Sequence, residues 1–166
     1  MSQRPPSATC LRDAHEKLAS LVGTSGPMVS GTVTDRDIAR FAVACGDQAP
    51  AGSAPSAPTR APLLMLPSVI EWGAGPALRE LRPDGTGVGR EGWLPLEGLR
   101  LMGGGQDLEF HADVTSGREF TAVPTLDAAQ LKEGGAGQLL LLTITTVFRD
   151  EDGTDLLTCR DTLIGR

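Results

Sequence analysis

Cysteine is scarce in this chain: Cys10, Cys45 and Cys159 are an odd number and widely spaced. That pattern argues against a disulfide framework or a zinc site and fits buried, reduced thiols. Histidine is scarcer still, with only His15 and His111, and no second ligand follows His15 at metal spacing, so no metal site is expected. Lys and Arg form no run anywhere and the net charge is −6, which argues against nucleic acid or an anionic membrane as partner, because both reward positive patches. The bulk charge does not favour acidic substrates either. No apolar stretch approaches the roughly 18 residues that a membrane span needs, and no charged-then-apolar leader opens the sequence. The expectation is a soluble, cytoplasmic protein. Met102-Gly-Gly-Gly105 lacks the strand-to-helix switch and the Lys-Ser/Thr of a phosphate loop, and no repeat of fixed period occurs.

What is present suffices for one core. With 166 residues, 40% hydrophobic and 22% charged, the chain is sized for a single domain. Residues 1–8 are polar and Pro-rich and are expected to be disordered, leaving 9–166 as the folded unit. Leu11, Ala14, Leu18, Leu21 and Val22 make one helical stripe that stops at Gly23, with His15 beside it as a half-exposed helix residue. Met28 to Val33 reads as a short strand. Thr34 and Asp37 have capping-box spacing before a helix whose inward face is Ile38, Phe41, Ala42 and Cys45. Pro50, Pro55 and Pro58 exclude a regular element from 47 to 60.

The stretch Ala61-Pro-Leu-Leu-Met-Leu-Pro-Ser-Val-Ile-Glu-Trp72 is apolar on every side as a helix, which predicts burial. Thr59 can cap it, Pro62 suits its first turn, and Pro67 predicts a bend. The Gly- and Pro-rich, charged residues from there to Pro95 read as a solvated excursion. From Leu108 the period changes to two, with Leu108, Phe110, Ala112 and Val114 alternating with Glu109, His111 and Asp113. Thr115 to Gly117 is the turn and Phe120 to Leu126 the returning strand. Gln138 to Phe148, apolar on both sides, is a central strand, and Asp150 to Gly153 turns the chain into the antiparallel Leu156 to Ile164. Helices first and an antiparallel sheet afterwards give an α+β fold, its sheet wrapped on one buried helix.

Five stretches occur in a familiar order: Leu21-Val-Gly-Thr24, Val33-Thr-Asp-Arg-Asp-Ile-Ala-Arg-Phe-Ala-Val-Ala-Cys-Gly-Asp47, Arg60-Ala-Pro-Leu-Leu64, Gly104-Gly-Gln-Asp-Leu-Glu-Phe-His111 with Gly117, and the final strand pair. Together they resemble the hot-dog fold proteins of the MaoC-like dehydratase or enoyl-CoA hydratase family, above all their N-terminal FAS1-like dehydratase type of domain. The resemblance implies that the segment from Ala61 is the central helix. In active members the loop after the first packed helix reads Asp-x-Asn-Pro-x-His, and its carboxylate and imidazole act on a water and on the proton alpha to a thioester. Here that motif falls on Asp47-Gln48-Ala49-Pro50-Ala51-Gly52. Asp47 and Pro50 remain, whereas the asparagine is Ala49 and the histidine is Gly52, which carries no proton. Active members also place a glycine at the helix start, where a backbone N–H approaches the thioester oxygen. The corresponding residue is about Leu63, and its side chain crowds that approach.

By this resemblance the chain is a non-catalytic, acyl-binding or structural hot-dog subunit of a heteromeric enoyl-thioester hydratase or dehydratase, with the catalytic Asp and His supplied by a second hot-dog subunit. Asp47 reads as a remnant that caps its loop, with general acid or base as the sharper alternative. Leu63, Leu64 and Leu66 are candidates to line an acyl channel, and core packing is the plainer use of the same side chains. His111 reads as a surface or interface residue. No metal and no cofactor are implied beyond the carrier of the thioester, coenzyme A or acyl carrier protein. A short loop of small residues from Ala49 to Ala57 would leave space for a bulky acyl chain. Two alternatives remain: a homodimer that holds thioesters without converting them, and a thioesterase or hydratase that uses Asp47.

Overall fold

Alternating apolar residues in the second half of the chain build one antiparallel sheet, and the helices of the first half cover a single face of it. The computed structural model describes residues 8–46, 58–69, 77–81, 91–135 and 137–166. The strands are β1 (Val29–Thr32), β2 (Leu101–Phe110), β3 (Glu119–Gly134), β4 (Gly137–Asp150) and β5 (Asp155–Gly165), in the order β1-β3-β4-β5-β2. β4 is central, as expected. Leu140, Leu142, Ile144, Thr146 and Phe148 point to the covered face and are at most 2% exposed. Leu139, Leu141 and Val147 alternate with them and are half-buried.

The pairing differs from the reading of the local turns. β2 does not fold back on β3 through Thr115 to Gly117; it pairs with β5 at the far edge, Leu108 opposite Cys159, while β3 lies between β1 and β4. His111 and Ala112 both donate their N–H to Leu156 O, which draws the chain off the ladder before that turn. Alternation identifies a strand but not its neighbour, which is decided by the apolar face that must be completed. β2 also begins at Leu101, earlier than expected. Gly103 to Gly105 are part of the strand, with a bulge between Gly103 and Gly105.

Two adjoining clusters fill the covered face. α1 (Ala8–Ala19) sets Leu11 and Leu18 against Leu126, Leu140, Leu142 and Ile144, joined by Trp93, Leu94, Leu96 and Leu99 of the loop before β2. Trp93 lies flat on the backbone of Gly26, where a Cβ would come within 2.4 Å of its Nε1, so no larger residue fits there. α2 (Asp35–Ala44) and α3 (Met65–Val69) bring Ile38, Met65 and Leu66 onto Phe120, Ala122, Phe148 and Leu157. The capping box of α2 is formed: Thr34 Oγ1 accepts the Asp37 N–H at 3.2 Å, and Asp37 Oδ2 accepts the Thr34 N–H at 3.1 Å. Cys159 is buried, but Cys45 is exposed, contrary to the expectation of a buried thiol. It is the C-cap, where the helical stripe that buries Ile38 and Ala42 has ended. The side chain of Cys10 lies outside the described residues.

The segment from Ala61 needs the largest correction. Its helix begins at Met65, not after Thr59, and residues 70–72 lie outside the described residues. Thr59 is not its cap, because the Thr59 O accepts the Ser116 N–H and the Ala61 N–H bonds Val114 O, so this part runs as extended chain beside 114–116. Pro67 consequently falls in the first turn, where an N–H has no partner to lose and no bend is required. Met65 and Leu66 are buried, whereas Leu63 and Leu64 are 53% and 56% exposed in the turn that precedes the helix.

Candidate functional site

That turn closes one side of a small cleft. Arg60, Ala61, Pro62, Leu63 and Leu66 face Phe110 at the end of β2, Ala112 to Val114 beyond it, and Leu156 and Leu157 at the start of β5. Leu66, Leu156 and Leu157 form a buried floor, and Leu63 and Phe110 are exposed apolar residues at the rim. The free space is small, enough for about one water. Across it Arg60 Nη2 meets Asp113 Oδ1 at 2.6 Å. This ion pair is the polar part of an otherwise apolar lining.

The walls are held by polar contacts that the sequence did not reveal. Asp35, in the first turn of α2, has its carboxyl held below the usual carboxylate range by the Ser116 hydroxyl first, then by the Thr59 hydroxyl, with the Thr59 backbone N–H adding to both. The Thr59 N–H also donates to Ser116 Oγ at 2.9 Å, and Ser116 is buried. One cluster thus ties α2, the lead into α3 and the turn before β3. No local signal marks Asp35 in the sequence, because the residues it joins are far apart in the chain.

Of the residues expected at a substrate site, Leu63 and Leu66 line the cleft and Leu64 does not. Asp47 lies outside the described residues. Both histidines of the chain are placed, and neither lines the cleft. His15 is half-buried on α1, and His111 Nε2 is 2.9 Å from Thr158 Oγ1 on exposed surface. Among the described residues no group of three or more His, Cys, Asp or Glu could hold a metal ion, and no helix is long and apolar enough to cross a membrane.

The model of the FAS1-like, dehydratase domain region matches residues 20–159. Among solved structures, the ChsH1-ChsH2 complex from Mycobacterium tuberculosis superposes with a TM-score of 0.67 at 14% identity, over 95% of this chain and 92% of that one. The C-terminally truncated HadBC (3R-hydroxyacyl-ACP dehydratase) complex from Mycobacterium tuberculosis gives 0.57 at 17% identity, over 87% and 97% of the two chains. The (R)-hydratase from A. caviae involved in PHA biosynthesis gives 0.54 at 21%, over 86% and 94%. No curated protein matches this chain in sequence. These likenesses carry the fold, the α+β hot dog expected from the sequence, and the family model carries the membership: the chain belongs to the FAS1-like dehydratase domain region family.

Proposed function

We propose that this chain is the non-catalytic, acyl-binding subunit of a heteromeric MaoC-like enoyl-thioester hydratase or dehydratase, residues 9–166 forming one hot-dog domain. The observation that carries the reading is the placement of its histidines: the chain has only two, and neither lines the cleft at the start of α3. Adding water across a double bond requires one group to handle the water and another the alpha proton. Asp113, the carboxylate in the lining, is paired with Arg60. Leu63 stands where an unhindered N–H would be needed. The catalytic Asp and His then come from a second hot-dog subunit, and the thioester carrier is coenzyme A or acyl carrier protein, in the cytoplasm.

The sheet offers a place for that subunit. β2 is an edge strand, exposed at every residue except the half-buried Leu101 and Leu108, and an open edge of this length accepts another strand. ChsH1-ChsH2 and HadBC were each solved as complexes. The test is co-expression with a hot-dog protein carrying an intact Asp-x-Asn-Pro-x-His loop. Stable co-purification and hydration of a short enoyl-CoA by the pair, with none by this chain alone, is the expected result; hydration by the purified chain alone overturns it.

A further inference from the structure

The backbone at the mouth of the cleft is fixed, but the charge it carries is not tightly engaged. Ser116 N–H to Thr59 O and Ala61 N–H to Val114 O are both 2.8 Å, and Arg60 itself forms a bridge with Thr115. Among the described residues, by contrast, the guanidinium is held by one ion pair, in which the Arg60 side chain is 63% exposed and that of Asp113 57%. An exposed pair of this kind contributes little, so a competing anion can displace Asp113 at small cost. The planar fork of an arginine suits such a replacement, because it can give two parallel N–H bonds to a carboxylate or a phosphate. Arg60 is also the sole cation in the lining, in a chain whose net charge of −6 otherwise repels anions.

We propose that Arg60 selects the ligand of this cleft, and that the ligand is an apolar, acyl-like body bearing an anionic oxygen group: a carboxylate on the acyl chain or a phosphate on its carrier. Leu66, Leu156 and Leu157 take the apolar part, and the exposed Leu63 and Phe110 turn aside to admit it. The naming of an acyl ligand rests on the thioester reading above; the requirement for an anion does not.

Calorimetric titration of the full chain, alone and with its co-purified partner, separates the two. The probes are hexanoate, hexanol, butyryl-CoA, which has phosphate but no acyl carboxylate, and the N-acetylcysteamine thioester of succinate, which has the reverse. Hexanoate is expected to bind more tightly than hexanol, Arg60→Gln to weaken it roughly tenfold or more, and Asp113→Asn to tighten it by removing the competitor. The thioester that shows the same dependence on Arg60 identifies the source of the anion. Affinities unchanged in Arg60→Gln, or no binding of any anionic probe to the wild type, overturn the proposal. Binding of hexanoate through Arg60 without binding of either thioester removes the thioester reading and leaves the anion site standing. Thioesters that bind equally to wild type and Arg60→Gln do the opposite.

Discussion

The two halves of the covered face are built from the same strands yet are finished differently. Beside α1, Leu126, Leu140, Leu142 and Ile144 are sealed by leucines and a tryptophan loop. Beside α3 the packing stops short of the surface: Leu66 and Leu157 are buried, but Leu63 and Phe110 remain exposed around an ion pair. A face that needs only stability can be closed completely, whereas one that admits a ligand must leave apolar surface uncovered. Under the proposed function, the difference gives folding energy to one half and recognition to the other.

The strongest way to break this comparison is to damage the sealed half. Leu142→Ala should cost about 2–5 kcal/mol in denaturant unfolding and leave affinity at the cleft unchanged; a change in affinity would mean that the halves are not separable. Between them stands Thr146, fully buried with no hydrogen-bond partner for its hydroxyl among the described residues. Thr146→Val should raise the melting temperature, by about 1–3 kcal/mol of added stability, because an unsatisfied polar group is removed at equal shape. On the cleft side, Leu63→Ala should change stability by no more than about 0.5 kcal/mol, since its side chain is largely exposed, while altering ligand affinity. The smallest effect concerns acid. Because the Asp35 carboxyl is held low, its contribution is present above the unfolded value of about 3.9 and is lost as the pH falls through the folded one. Asp35→Asn should therefore be less stable than wild type at neutral pH, and the two unfolding curves should converge in acid.

Much of the scaffold was legible because its signals are local. The alternation of Leu140, Leu142, Ile144 and Phe148 marked β4, and Thr34 with Asp37 marked the start of α2. The crossing of β2 to the far edge was not, since Leu108 alternates in the same way whichever strand lies beside it. The helix from Ala61 was misjudged because composition does not register Ala61 and Thr59 bonding backbone across to Val114 and Ser116. For the cleft, the sequence supplied Leu63 and Leu66 through a resemblance. It could not supply Arg60, Asp113 or the Asp35 cluster, whose partners meet only when the chain is folded.

The run Gly103-Gly104-Gly105 in β2 carries a consequence for assembly. Along that stretch the outer rail of the sheet has no knobs by which one companion could be told from another, only a bare row of amides and carbonyls. In the proposed assembly, discrimination then falls to the exposed side chains that flank that stretch, Met102 on one side and Gln106, Asp107, Glu109 and Phe110 on the other, so that choosing a companion and shaping the entrance beside Phe110 fall to overlapping atoms.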